Sequence, residues 1–113
     1  MKSIQNHLRS LYESLNAISE DLYIYHYERA EDYTIPYGVW AEEGENESFH
    51  TDNGKEEQVI EGSLSFYTET EFDPLIDDIQ GVLNDTCSGW NLDSVQHEDE
   101  TKLIHYSWSW QAV

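Results

Sequence analysis

At 113 residues the chain has the size of one domain, and contents of 38% hydrophobic and 13% aromatic residues exclude a disordered acidic tail. Twenty-four Asp and Glu against five Lys and Arg leave a formal charge of −19 (5 − 24). That excess makes bare nucleic acid a poor partner, because phosphate binding needs cations that release counterions, and it excludes an anionic membrane surface on the same ground.

In chain order, Ile4, Leu8, Leu11, Leu15 and Ile18 recur at three- and four-residue steps. This spacing predicts a helix over about residues 3 to 18 with Ser3 as its N-cap. The polar residues between them are unlike a signal peptide, and no apolar run reaches the roughly 20 residues of a membrane span. LYIYHY, rich in aromatic and β-branched types, reads as a strand over about 22 to 27. Pro36 favours the start of a second strand, about 35 to 41. An acidic stretch follows, with Glu42, Glu43, Glu45, Glu47, Asp52, Glu56 and Glu57 and a tight-turn signal at Asp52-Asn53-Gly54. It reads as a loop.

From about 57 to 68 the alternation is clear: Ile60, Gly62, Leu64 and Phe66 against Glu61, Ser63, Ser65 and Tyr67. Twelve extended residues span about 40 Å, so this strand is expected to project beyond the core. Asp73-Pro74 begins a second helix, about 74 to 84, with Leu75, Ile76, Ile79, Val82 and Leu83 on its core side. A hairpin over about 90 to 111 closes the chain, with Ile104, Tyr106, Trp108 and Trp110 sharing one face. One helix, several strands, a helix and two strands make an α+β domain, a mixed or mostly antiparallel sheet flanked by two helices.

The chemistry-bearing residues form no recognisable set. His7, His26, His50, His97 and His105 fall into no metal-ligand spacing. His97 with Glu98, Asp99 and Glu100 reads as a solvated turn before it reads as a cation site. His105 reads as a strand histidine before it reads as a base. Cys87, the single cysteine, cannot make a disulfide framework, which favours a reducing compartment such as the cytoplasm. It has no cationic sequence neighbour to activate it. The stretch from Asp52 departs from a calcium loop at its third and fourth positions, Gly54 and Lys55. Neither catalysis nor a cofactor nor a metal is expected. Tyr23, Tyr25 and Tyr27, placed on one strand face, and Trp108 and Trp110 are expected to form a subunit-contact surface, with a plain core as the equal alternative.

Pro36-Tyr37 opening a strand, Trp40 closing it, Asp52-Asn53 in an acidic loop, and Tyr67-Thr68 ending a long strand recur together here. Asp73-Pro74-Leu75 at a helix start and His105-Tyr106-Ser107-Trp108 in a final hairpin complete the pattern. Over nearly the whole chain it resembles the tail terminator, or tail completion, proteins of siphophages and Gram-positive prophages. The resemblance implies a homo-oligomeric ring, usually a hexamer, at the head-proximal end of the tail tube. It implies tail tube and head completion proteins as partners, with the genome passing through the lumen without specific binding. The site of action would be the neck of the virion, after synthesis in the host cytoplasm. On that reading Glu42, Glu43, Glu45, Glu47 and Asp52 are the candidates for an acidic lumen or interface. Charge and size alone also fit a second class, a DNA mimic that inhibits a nucleic-acid-binding defence enzyme.

Overall fold

Leu11 and Leu15, one turn apart, are the buried anchors of helix α1 (Ile4–Asn16). The helix ends two residues before the last periodic position. Ala17 and Ile18 tighten into bonds to Ser14 and Leu15 carbonyls three residues back, while the Asn16 amide turns to the following strand. It accepts from the Ile24 N–H at 2.9 Å and donates to the Ile24 carbonyl at 3.1 Å, satisfying the outer edge of that strand as a neighbouring strand would. The computed structural model describes residues 4–45 and 59–112.

The strands are β1 (Tyr23–His26), β2 (Tyr37–Glu45), β3 (Ile60–Thr68), β4 (Gly89–His97) and β5 (Ile104–Ala112), with α2 (Leu75–Thr86) between β3 and β4. They form one five-stranded sheet in the order β1-β2-β3-β5-β4. β1 and β2 run parallel; every other pair is antiparallel. The protein is therefore an α+β domain. No helix among the described residues is long and apolar enough to cross a membrane.

Both helices pack on the same face of the sheet. Their Leu11, Leu15, Ile79 and Leu83 meet Ile24, Trp40, Leu64, Phe66, Trp108 and Trp110 in a single core cluster. β3 lies at the centre, paired with β5 from Ile60 to Thr68 and with β2 from Ile60 to Tyr67, so within the described residues it does not project. This central position explains its clean alternation: one row is covered by helices and the other is not.

β2 runs four residues past its expected end. Glu42, Gly44 and Glu45 continue the ladder with Gly62, Glu61 and Ile60, with a bulge between Glu42 and Gly44. Glu and Gly have little strand propensity, and backbone pairing to the apolar β3 overrides it.

Between β3 and α2 the chain is fixed by Asp73, which is buried. One carboxylate oxygen accepts from the Thr68 hydroxyl at 2.6 Å, the other from the Leu75 N–H at 2.9 Å. The Thr68 hydroxyl in turn accepts from the Thr70 N–H at 3.1 Å. Asp73 thus does the capping work that its place before Pro74 predicts. Within this loop Phe72 adopts φ 57 and is 88% exposed. We expect Asp73→Ala to cost about 2 kcal/mol, since it removes a cap and strands a buried hydroxyl. Urea denaturation measures it, and a loss below about 0.5 kcal/mol would contradict this account of the loop.

Candidate functional site: the open sheet face and its acidic end

The face of the sheet away from the helices is read directly from the register. Tyr23, Tyr37, Tyr67, His105 and Gln96 stand in one row, and Tyr25, Val39, Ser65, Ser107 and Ser94 in the next. Ala41, Ser63, Ser109 and Asn91 make the third. None of these is acidic, in a chain of 24 acids. Carboxylates border the rows: Asp93, which the β4 bulge turns to accept from Ser109 at 3.2 Å and Asn91 at 2.8 Å, Glu28, which lines a recess with Val39 and Ser65, and Glu98, whose charge acts on Tyr67 and His105.

The first row is an aromatic ladder. Tyr37 and Tyr67 stack at 4.7 Å, and Tyr67 and His105 at 4.2 Å. Tyr33 meets Tyr37 edge-on at 4.7 Å, and the Arg29 guanidinium lies 4.0 Å over Tyr33. Burial pushes the Tyr37 phenol above its ordinary range, Tyr67 adding to this and Arg29 opposing it. Burial also raises Tyr67, against the Ser65 hydrogen bond. Both therefore remain neutral hydrogen-bonding groups. Beside them lies a recess of about 270 Å³ floored by Val39, Ala41, Ser63 and Ser65.

His105 sits with its Nε2 buried and without a hydrogen-bond partner among the described residues. Desolvation holds its imidazole below the ordinary value near 6.5, with the Glu98 charge opposing. Tyr67 faces it from β3 and Gln96 from β4. Because the folded state disfavours the charged form, His105 contributes stability above the unfolded value, which is lost as pH falls through it. His105→Phe keeps a ring on Tyr67 and removes the titration. It is expected to lose less stability than the wild type between about pH 7.5 and about pH 5, read from urea midpoints; an equal or steeper fall would refute the assignment.

The predicted site residues separate. Trp108 and Trp110 are fully buried in the core, not on a contact surface: with both helices on their face, that face is the covered one. Trp108 donates to Gln80 of α2 at 3.2 Å and Trp110 to the Ser63 carbonyl at 3.0 Å. Tyr23 and Tyr25 do share the open face, their rings 4.5 Å apart. Tyr27 does not join them. It follows β1 at φ 76, donates its N–H to the Trp40 carbonyl and stacks on His26 at 3.8 Å.

Glu42, Glu43 and Glu45 lie on β2 instead of in a loop; Glu47 and Asp52 fall outside the described residues. Glu42 points to the helix face, where both of its oxygens meet His26 Nε2 at 3.0 and 3.1 Å. The His26 ring is sandwiched between Tyr27 and Trp40, the latter at 4.0 Å. Glu42 is thus committed to an internal pair. Glu43, displaced by the bulge, lines a recess of about 450 Å³ with Glu61, Trp90, Asn91 and Gln111. Glu43, Glu45 and Glu61 make this the acidic end of the sheet. The His26–Glu42 pair had no signal in the sequence, because it depends on a parallel register that no local pattern encodes.

Cys87 packs against the core, and burial raises its thiol above the ordinary range against a weaker effect of Thr86. His97 pairs with Asp99 at 3.6 Å on an exposed turn. Among the described residues, no three or more His, Cys, Asp or Glu side chains are grouped as a metal would require. No family model and no curated protein matches the chain.

Proposed function

We propose that the chain is a structural subunit of a phage neck: a ring-forming tail terminator that caps the tail tube, stops its growth and joins it to the head. The observation that supports this most is the open sheet face. A chain with a charge of −19 keeps the strand positions of three adjacent rows of that face free of acids and fills them with Tyr, Ser, Val, Ala, His, Gln and Asn, with acids only at their borders. Depletion of charge with enrichment of aromatics is the composition of a protein contact. A solvated face of such a chain would carry its share of carboxylates.

Most motifs of the resemblance occupy structural positions that agree with this reading: Tyr37 opens β2, Tyr67-Thr68 ends β3, Asp73 caps α2 and His105 stands in the aromatic ladder. Trp40 departs from the pattern, because β2 runs on past it to Glu45. Acids kept at the Glu43–Glu61 end suit a lumen through which phosphates must slide without sticking. Screening over about 8 Å confines that repulsion to surfaces close to the DNA.

The test uses tails assembled without their terminator. Adding the purified protein is expected to place a ring on one end of each tube and to halt elongation, seen by negative-stain microscopy. Protein that stays off tube ends at every concentration would overturn the reading. If it instead bound basic DNA-processing enzymes tightly at low salt, the DNA-mimic class would replace it.

A further inference from the structure

We infer that Phe72 of one copy seats in the groove between α1 and the β1–β2 edge of the next copy, forming the repeating contact of the assembly. This rests on the ring reading above and names its subunit contact.

Phe72 stands outside the core of its own subunit. It is 88% exposed, and at φ 57 it occupies a backbone region where Gly or Asn would sit more easily. The loop nevertheless holds it firmly, through the Asp73 carboxylate bonded to Thr68 and to Leu75 N–H. A bulky aromatic kept in a disfavoured conformation and presented to solvent is the form of a binding anchor.

The receiving groove has a volume of about 570 Å³. Ile4, Leu8, Tyr12, Tyr27 and Trp40 supply its apolar lining, and Arg9 stands among them. Two further polar groups of the lining, His26 and Glu42, hydrogen-bond to each other, so an entering ring strands neither. Charge fits as well. Phe72 is flanked by exposed Glu69 and Glu71, and the groove offers a guanidinium in a chain with few cations. The two features lie toward opposite ends of the sheet. Phe72 follows the Thr68 end of β3, whereas the groove reaches Glu42, level with Gly62 near the start of β3. Knob and groove on different parts of one subunit make a head-to-tail contact, which closes into a ring or runs on as a filament.

Phe72, Gln5 and Arg9 are exposed, so substitution there spares the core. Phe72→Ala removes the knob; Gln5→Trp fills the groove from its α1 wall. By analytical ultracentrifugation, each is expected to need at least about tenfold more protein for half-assembly, with the melting temperature unchanged or raised. A mixture of the two variants is expected to give dimers and nothing larger, because one intact knob meets one intact groove. Arg9→Glu and Glu71→Arg are each expected to weaken assembly, and their combination in one chain to restore it. Unchanged assembly of Phe72→Ala, or a wild type that stays monomeric to about 1 mM, overturns the contact. Tail capping is scored separately. Wild-type rings that fail to cap tubes would refute the terminator reading and leave the contact standing. Capping that is indifferent to Phe72→Ala, with assembly equally indifferent, would refute the contact alone.

Discussion

Trp108→Ala is expected to destabilise the isolated subunit by about 4 kcal/mol and to lower its melting temperature by roughly 15 °C. The side chain is fully buried between the sheet and the helices, stacks near Tyr106 at 6.0 Å and donates to Gln80 at 3.2 Å. Removing it opens a cavity and leaves a half-buried amide of α2 without its donor. A domain of this size holds about 5–15 kcal/mol in total, so much of the margin goes. The result separates two roles. An interface tryptophan, once truncated, would weaken assembly and leave the subunit's own urea midpoint in place. A stability loss under about 1 kcal/mol, measured at concentrations where the subunit is monomeric, would return Trp108 to the contact surface.

The tryptophans show how far the sequence was legible. Alternation along β5 correctly puts Ile104, Tyr106, Trp108 and Trp110 on one face. Periodicity says which residues share a face, but not which face the helices cover. That is settled by α1 and α2 both docking on the Trp side, a long-range fact. Asp73-Pro74 marked the start of α2 because capping is local chemistry. β3 was legible because its two faces meet different surroundings. The far end of β2 is not legible, because Glu42 to Glu45 look like loop residues while their pairing is decided by Gly62, Glu61 and Ile60 on another strand. Tyr27 was misplaced because alternation assumes extended backbone, and its φ of 76 breaks the strand. Glu42 was misread for a third reason: its partner His26 stands across a parallel register, sixteen positions earlier in the chain.

These corrections sharpen the functional argument. With Trp108 and Trp110 in the core, the contact surface cannot be the aromatic face as a whole. On the ring reading proposed above, the opposite face, with Tyr23, Tyr25 and the Tyr37–Tyr67–His105 ladder, is left for the tube or head proteins, while Phe72 and the α1 groove join the copies. With Glu42 paired to His26, the acids lining the recess at that end of the sheet are Glu43 and Glu61. On the reading proposed above, repulsion and contact fall on different surfaces: Glu43 and Glu61 sit at one end of the sheet, while the strand positions of the three rows beside them hold no acid. A charged subunit can assemble when its acids are kept off the area that becomes dry.

Gly62→Ala is the second large effect, and it probes the core from the backbone side. Gly62 is buried at the centre of the sheet, paired with Trp110 on β5 and Glu42 on β2. A β-carbon there would collide with the Ala41 carbonyl oxygen and with the Trp110 ring. Neither can move cheaply. The carbonyl belongs to backbone held in the β2–β3 ladder, and the indole is fixed by its bond to the Ser63 carbonyl and by Trp40 at 6.1 Å. We expect a loss of about 3 kcal/mol, or roughly 12 °C in melting temperature. Trimming the ring with Trp110→Leu in the same chain is expected to recover little, because the carbonyl clash remains and a large buried side chain is lost. Gly81→Ala is the control. Gly81 lies within α2, and a β-carbon there meets nothing within 4 Å. That substitution is expected to stabilise by about 0.5–1 kcal/mol through helix propensity. Two glycine-to-alanine changes of opposite sign in one small domain discriminate packing from a general effect of losing glycine. A Gly62→Ala variant that melts within about 2 °C of the wild type would mean that the β2–β3–β5 register around Trp110 is wrong.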